Sequence, residues 1–534
     1  MSPSPFDPPE DAEGRVWDAV VIGTGAGGAP AGFNLARLGK SVLFVERGKL
    51  LHRDPTVRRG VAFPGTKDPS AAIDHGWWPH PFWFRDHDEA TPEPRRLAVG
   101  CGAGGSTAQF NGVLERFRPA DFTPRRYFAD VPDTTLPEAW PISYDELEPY
   151  YRRAETLFRV RGEPDPLAPA KSDLLEPPPM EPGESALVDG LRGVGLHPYR
   201  NHYALDLAAG CVACPGTLCA RACRNDAARI CLDPAIERHG ARILTNCRAI
   251  RLEETGRTVT RLVCDWGGRP IALRARQFVL AAGAFLTPAL LQRSASVRHP
   301  DGLANSSGLV GRNLMMHAAS HVFLRLKADP STPPAMGYGL SLNDFYIHDG
   351  VKMGNFHAHP APVHEMSVNF AAQSTRWLQL VPWPARIRIA AMAPRLDRAW
   401  TPFSAILEDL PYDCNHVAAK SGSDEDVVYT YRYPEELRRR AGAMVDLLRQ
   451  AAAPRFDSFP LKPIGGLNGG HGCGTCRFGE DPRTSVLDRD NRAHDLDNLY
   501  VVDASFFPSS AGINPSLTII ANSLRASDRL AERL

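Results

Sequence analysis

The patterned part of the chain opens with Val16 to Ile22 (VWDAVVI), a short apolar run rich in β-branched residues that predicts a buried strand. Glycines at positions 23, 25 and 28 follow. Ala29 to Leu38 is then small and apolar enough to pack closely as a helix, and Ser41 to Val45 reads as a second buried strand that ends on Glu46. Farther on, RILTNCRAIRLEET, RLVCDW and RPIALRARQFVLAAGAF alternate as strands of a meander, with Gln277 to Ala282 as a buried strand that Gly283 ends. Acidic residues ahead of Tyr150, Tyr151 and Arg153 predict an amphipathic helix there. A second helix, EELRRRAGAMVDLLRQAAA, is predicted within 430–455. The chain closes on a strand at Leu499–Val502 and a helix from Ser516 to Leu534. Residues 50–94 read as a long irregular loop that covers a ligand or an interface, or else as a surface excursion. Residues 163–184 form a proline-rich connection, and 305–465 mix strand and helix signals without a motif.

The order strand, glycines, helix, strand, acid has a chemical reason. Gly23 makes the tight turn, Gly25 lets backbone approach a pyrophosphate, and Gly28 lets helix and strand pack closely. The helix N-terminus offers unpaired N–H groups and a positive dipole to that phosphate. Glu46, about 20 residues on, can take ribose hydroxyls. Alone, this unit fits NAD as well as FAD. A second glycine-rich stretch, Leu97 to Arg116, carries Gly100, Gly102, Gly104 and Gly105 and leaves backbone free to lie against a bulky planar group. Ser106, Thr107 and Asn111 add polar contacts beside it.

Size and charge bound these readings. The chain has 534 residues, enough for two to four domains. Its formal net charge of zero gives no pull toward nucleic acid. No apolar run reaches the ~18 residues of a membrane span. The opening MSPSPFDPPEDAEGR has no apolar core and reads as a disordered lead-in, so a cytoplasmic protein is expected unless a partner carries it elsewhere.

Five blocks taken together resemble the glucose–methanol–choline (GMC) oxidoreductases, FAD-dependent enzymes that oxidise alcohols. They are GTGAGG with Glu46; GCGAGGSTAQFNG; VLAAGAFLTPALLQRS; GGHGCGTCRFGEDPRTSVLD; and NLYVVDASFFPSSAGINPSLTIIA. The resemblance implies an α/β fold in two parts. A discontinuous Rossmann-like FAD-binding domain takes 16–118, 210–304 and 482–534. A substrate-binding domain, 119–209 and 305–481, roofs the flavin with an antiparallel sheet. It further implies that Gly23, Gly25, Gly28 and Glu46 hold the pyrophosphate and adenosine ribose. Gly104, Gly105, Ser106 and Asn111 would run along the pyrophosphate and isoalloxazine, Ala249 would meet the adenine, and Asp503, Ala504 and Pro515 would lie by the ribityl end. His471 matches the family's active-site histidine and Asn514 its partner. The chemistry fits, since alcohol oxidation needs a base at the hydroxyl while the flavin takes the hydride. His494, His317 and the histidines of 50–94 receive no role.

Eleven cysteines are present, and Cys211, Cys214, Cys219 and Cys223 stand as C-x2-C-x4-C-x3-C. Thiolates this close suit an iron–sulfur cluster or zinc, and a structural, metal-free turn is the alternative. The resemblance to cysteine-bearing sugar dehydrogenases implies the cluster, a sugar or polyol substrate, and an electron-acceptor protein or small subunit. Cys211 departs from their pattern, where an adjacent cysteine is expected. An oxidase that reduces oxygen, and a non-catalytic flavin-binding electron-transfer module, are the competing readings. Cys473 and Cys476 are expected to pack beside the flavin without a metal.

Overall fold

A computed structural model describes residues 9–53, 69–168, 172–207, 216–219, 221–327, 338–358 and 400–534. Strand Val16–Ile22 pairs in parallel with Val42–Val45 on one side and with the C-terminal half of Arg269–Leu280 on the other. Arg242–Leu244 adds beyond Val42–Val45, and Leu499–Val501 beyond Arg269–Leu280, both parallel. The N-terminal half of Arg269–Leu280 pairs antiparallel with Thr258–Trp266, which in turn pairs with Cys247–Thr255. The predicted meander is therefore fused to the parallel sheet through one long strand.

Parallel neighbours need a crossover, which helix Gly28–Arg37 supplies between the first two strands. The helix can lie this close because its glycines carry no side chain. A Cβ on Gly28 would sit 2.0 Å from the Gly23 carbonyl oxygen, and one on Gly32 would meet the Phe44 ring at 2.2 Å. Pro30 lies in the first turn, where its missing N–H breaks no intrahelical bond. With both sheet faces covered, Val20, Val21, Phe44, Val279 and Leu280 are fully buried.

The register decides where a ligand can lie. Ile22 is opposite Val45 and Leu280, Val45 is opposite Leu244, and Leu280 is opposite Val501. All five strands end at one level, and a doubly wound sheet offers its crevice at such carboxyl ends. Each strand then runs straight into a sequence block of interest: Gly23–Gly28, Glu46–Gly48, Thr245–Ala249, Ala281–Ala284 and Val502–Ala504.

A second, antiparallel sheet has the order Phe456–Leu467, Ala318–Leu326, Thr401–Leu407, Gly354–Ala358, Leu340–Leu342, Tyr199–Arg200. One face, with Ala318, Val322, Leu324, Leu340, Phe356 and Phe403, packs on helices Pro182–Arg192 and Glu435–Ala452. On Ala318–Leu326 the alternate residues include Ala319 and His321, with His321 opposite Ser404 on the next strand.

Three parts of the structure differ from the sequence reading. In the lead-in, expected to be disordered, the described residues form helix Pro9–Glu13, with Ala12 buried and its carbonyl accepting from the Trp17 indole N–H at 3.1 Å. Helix Tyr144–Phe158 shares the parallel-sheet core, with Tyr151 hydrogen-bonded to Thr518 of the C-terminal helix Ser516–Ala531 at 2.8 Å. Its apolar stripe (Tyr144, Leu147, Tyr151, Phe158) finds its cover there and not on the antiparallel sheet. Within 50–94, the described part forms helix Pro69–Asp74 and strands Phe82–Asp86 and Glu93–Arg95. The first of these strands pairs in parallel with Val427–Tyr431, which also pairs with His416–Ala419.

Gly28→Ala is expected to destabilise the protein by about 1–3 kcal/mol, the usual scale of overpacking. Gly442→Ala, in a helix interior with open space at its Cβ, should stabilise by about 0.5–1 kcal/mol. Thermal unfolding of the two variants under identical conditions checks both signs.

Candidate active site

A cavity of about 530 Å³ opens along the strand ends, within the ~300–1,000 Å³ of small-molecule sites. Gly23, Gly25, Glu46, Gly105, Ser106, Asn111, Ala249, Asp503, Ala504, His471, Asn514 and Pro515 all line it. Residues scattered across most of the chain thus meet in one place. Gly28 and Gly104 lie behind the wall. Gly28 sits against Gly23, and Gly104 takes the left-handed conformation (φ +87°) that starts the short turn Gly105–Ala108.

At one end the wall is made of backbone. The N-terminal end of helix Gly28–Arg37 opens onto the cavity beside the second glycine loop, close enough that a Cβ on Gly105 would lie 3.0 Å from the Gly25 Cα. Glu46 ties three loops together. Its carboxylate accepts from the Thr24 hydroxyl (2.6 Å), the Gly48 amide (2.9 Å) and the Gly102 amide (3.1 Å). Beside it, residues that carried no sequence signal form the rim. Arg47 and Arg248 both reach Glu425, at 3.2 and 3.1 Å, and the Arg47 guanidinium stands 4.3 Å over the Trp78 ring. Asp503 is buried and joins two loops, accepting from the Ser505 and Gly283 amides, each at 2.9 Å. Burial raises its pKa even against those bonds.

The other end holds the two polar groups of the C-terminal blocks. His471 sits on the turn after strand Phe456–Leu467, in a loop that lies on Leu97 and Ala98 (a Cβ on Gly469 would be 2.7 Å from Leu97). Asn514 precedes helix Ser516–Ala531, and its side-chain Oδ1 is buried with no hydrogen-bond partner among the described residues. Buried polar atoms are normally paired, so an unpaired amide end on a cavity wall is suited to a ligand.

His317, given no role from sequence, stands directly behind His471. Their Nδ1 atoms are 2.9 Å apart and the rings are nearly perpendicular. Strand pairing puts them there: Ala318 is opposite Leu467, so the residues flanking those strand ends become neighbours, and the Asn468 amide donates to the His317 carbonyl at 2.8 Å. Burial pushes the His317 pKa down to about 4. Burial and the neighbouring His317 push that of His471 down to about 3. Both rings are therefore neutral at ordinary pH.

Family profiles described as GMC oxidoreductase match residues 138–319 and 442–523. A 6'''-hydroxyparomomycin C oxidase of Streptomyces lividus is 31% identical over 547 residues, covering 97% of this chain and 92% of that protein. The chain belongs to the GMC oxidoreductases. Other relatives of this GMC oxidoreductase are the paromamine 6'-oxidase of Streptomyces fradiae (32% identical; 97% and 92% covered) and the fructose dehydrogenase large subunit of Gluconobacter japonicus (27%; 97% and 98%). In fold it is similar to pyridoxine 4-oxidase from Mesorbium loti, with a TM-score of 0.65 at 20% identity, covering 96% of this chain and 99% of that one.

Membership implies FAD, and the residues present fit it. The cavity is lined by a helix N-terminus, by two glycine-rich loops, and by a histidine and an asparagine whose Oδ1 has no partner among the described residues. The cysteine reading stands differently. Cys211 and Cys214 lie outside the described residues, while Cys219 accepts a hydrogen bond from the Cys223 amide at 3.3 Å. Among the described residues no cluster of three or more His, Cys, Asp or Glu could hold a metal. Cys473 and Cys476, expected beside the flavin, are fully buried free thiols that do not line the cavity. No helix among the described residues is long and apolar enough to cross a membrane.

Neutral buried histidines set a pH dependence of stability. The unfolded chain takes up protons below the ordinary histidine pKa of about 6.5, and the folded ring at position 317 does so only near 4. Across that window the unfolded state binds more protons, so stability is lost as pH falls. His317→Gln should therefore lose less thermal stability than wild type between pH 6.5 and 4; equal slopes in melting curves would count against a neutral His317.

Proposed function

We propose that the protein uses FAD to oxidise a CH–OH group of a sugar, glycoside or polyol to the carbonyl, with His471 as the base. The observation that carries this reading is that a neutral histidine and an asparagine side chain whose Oδ1 has no partner among the described residues line the same cavity as the glycine loops. When bound, FAD supplies the acceptor for the hydride that leaves the carbinol carbon.

The remaining roles fall to the chain. The helix N-terminus and the backbone of Gly23–Gly27 and Gly105 suit the pyrophosphate. Glu46 keeps lone-pair capacity for ribose hydroxyls, and Ala249 and Arg248 border the adenosine end. Asp503 and Ala504 suit the ribityl segment. At the reactive end, the Asn514 side-chain NH2 donates to the substrate oxygen and fixes its direction, while the bare His471 nitrogen takes the hydroxyl proton. A ring that is already neutral needs no prior deprotonation to serve as base. The substrate class is supported by relatives named for hydroxyparomomycin, paromamine and fructose.

For electron disposal we favour a carrier other than oxygen, on the cysteine run and on relatives named as fructose and 2-methyl-1,2-propanediol dehydrogenases. The second reading, an oxidase, is supported by two relatives at 31% and 32% identity that bear that name.

His471→Ala is expected to slow anaerobic bleaching of the flavin by substrate about 10²–10⁴-fold, the contribution of a general base. Asn514→Ala should slow it about ten- to a hundredfold, the scale of one buried hydrogen bond. Unchanged bleaching in His471→Ala would remove His471 as the base, and a wild-type flavin that no alcohol bleaches would point to the non-catalytic electron-transfer module. Mixing the reduced enzyme with air separates the two acceptor readings: slow reoxidation is expected, and rapid reoxidation with peroxide release would establish the oxidase.

A further inference from the structure

His317 makes three contacts, two from one ring nitrogen and one from the other. Its Nε2 lies 3.1 Å from the Ser510 carbonyl oxygen and 2.9 Å from that of Ala511. Its Nδ1 lies 2.9 Å from His471 Nδ1. Carbonyl oxygens only accept, so Nε2 must carry a proton. A neutral imidazole carries one proton, so Nδ1 of His317 is bare and can only accept. The hydrogen between the two rings then belongs to His471 Nδ1. A neutral His471 that holds its proton there has an unprotonated Nε2, and this is the nitrogen left for the cavity that the ring lines.

We propose that His317 is a positioning residue that fixes the tautomer of His471, keeping Nδ1 protonated so that Nε2 presents its lone pair to the substrate hydroxyl. The inference rests on the reading of His471 as the base, and it assigns a cause to the base being in the usable form. Two carbonyls anchor the device at its buried end, and one of them, Ala511, has a left-handed backbone (φ +56°). The Gly512 amide donates to the Tyr346 hydroxyl at 3.2 Å and the Gly512 carbonyl accepts from the Asn355 amide at 2.9 Å, so the strained turn is held on both sides. The same turn leads into Asn514. His317 thus also ties the loop of the amide to the loop of the base.

His317 does not line the cavity and is 1% exposed, so substrate affinity should not depend on it directly. The informative variants differ in what they offer His471. In His317→Gln the new side-chain oxygen can still accept while its NH2 donates to the carbonyls, whereas the side chain of His317→Leu can do neither. The direct readout is ¹⁵N NMR of histidine-labelled holoenzyme, with the His471 signal identified by its loss in His471→Ala.

The expected result is a protonated Nδ1 and a bare Nε2 for His471 in wild type and His317→Gln, and loss of that pattern in His317→Leu. In stopped-flow reduction, His317→Leu should lower the limiting rate about ten- to a hundredfold, the size of one buried hydrogen bond, with KM little changed. His317→Gln should retain most of the rate. A wild-type His471 with its proton on Nε2 would overturn the proposal, and so would a His317→Gln as slow as His317→Leu. If instead the tautomer pattern holds but His471→Ala bleaches its flavin normally, the reading of His471 as base fails while the tautomer assignment stands.

Discussion

The carbonyl of Gly23 lies so near the start of the following helix that position 28 has no room for a side chain. A similar limit recurs one residue earlier, where a Cβ on Gly27 would lie 2.3 Å from the Val502 carbonyl oxygen. These approaches bring the first strand, the crossover helix and the last strand to a common level. Because five strands end together, loops from residues 23, 46, 245, 281 and 502 open onto one crevice. Backbone, not side chains, forms the wall at that end, as a phosphate-bearing ligand requires.

The reactive end is built by another device. His317 and His471 flank paired ends of adjacent antiparallel strands, so register alone makes them neighbours. Asn514 reaches the same space from the parallel-sheet side, through the turn that the Tyr346 hydroxyl and the Asn355 amide hold. His471 follows a strand of one sheet and Asn514 leads into a helix packed on the other, and both line the cavity.

What the sequence made legible was local. The strand–glycine–helix unit, the second glycine loop, the meander and the last helix each carry their signal within a few tens of residues, and each lies where periodicity puts it. Phe82–Asp86 was hidden because its partner, Val427–Tyr431, is distant and the flanking Trp, Pro and His residues look like loop. Helix Tyr144–Phe158 was recognisable as a helix, but its apolar stripe does not say which layer covers it. Arg47, Arg248 and Glu425 converge only through tertiary structure. His317 is the sharpest case. Nothing beside it in the chain marks it, and its meaning lies in two carbonyls and a ring more than a hundred and fifty residues away.

The carbonyls behind His317 also set a direction of traffic. A proton arriving at His471 from the cavity meets a second ring whose outer nitrogen already holds a hydrogen, pinned between oxygens that cannot take it over. The chain of hydrogen bonds ends there, inside the protein. A charge on His471 has no exit through that second ring, and the cavity is the one way left for it.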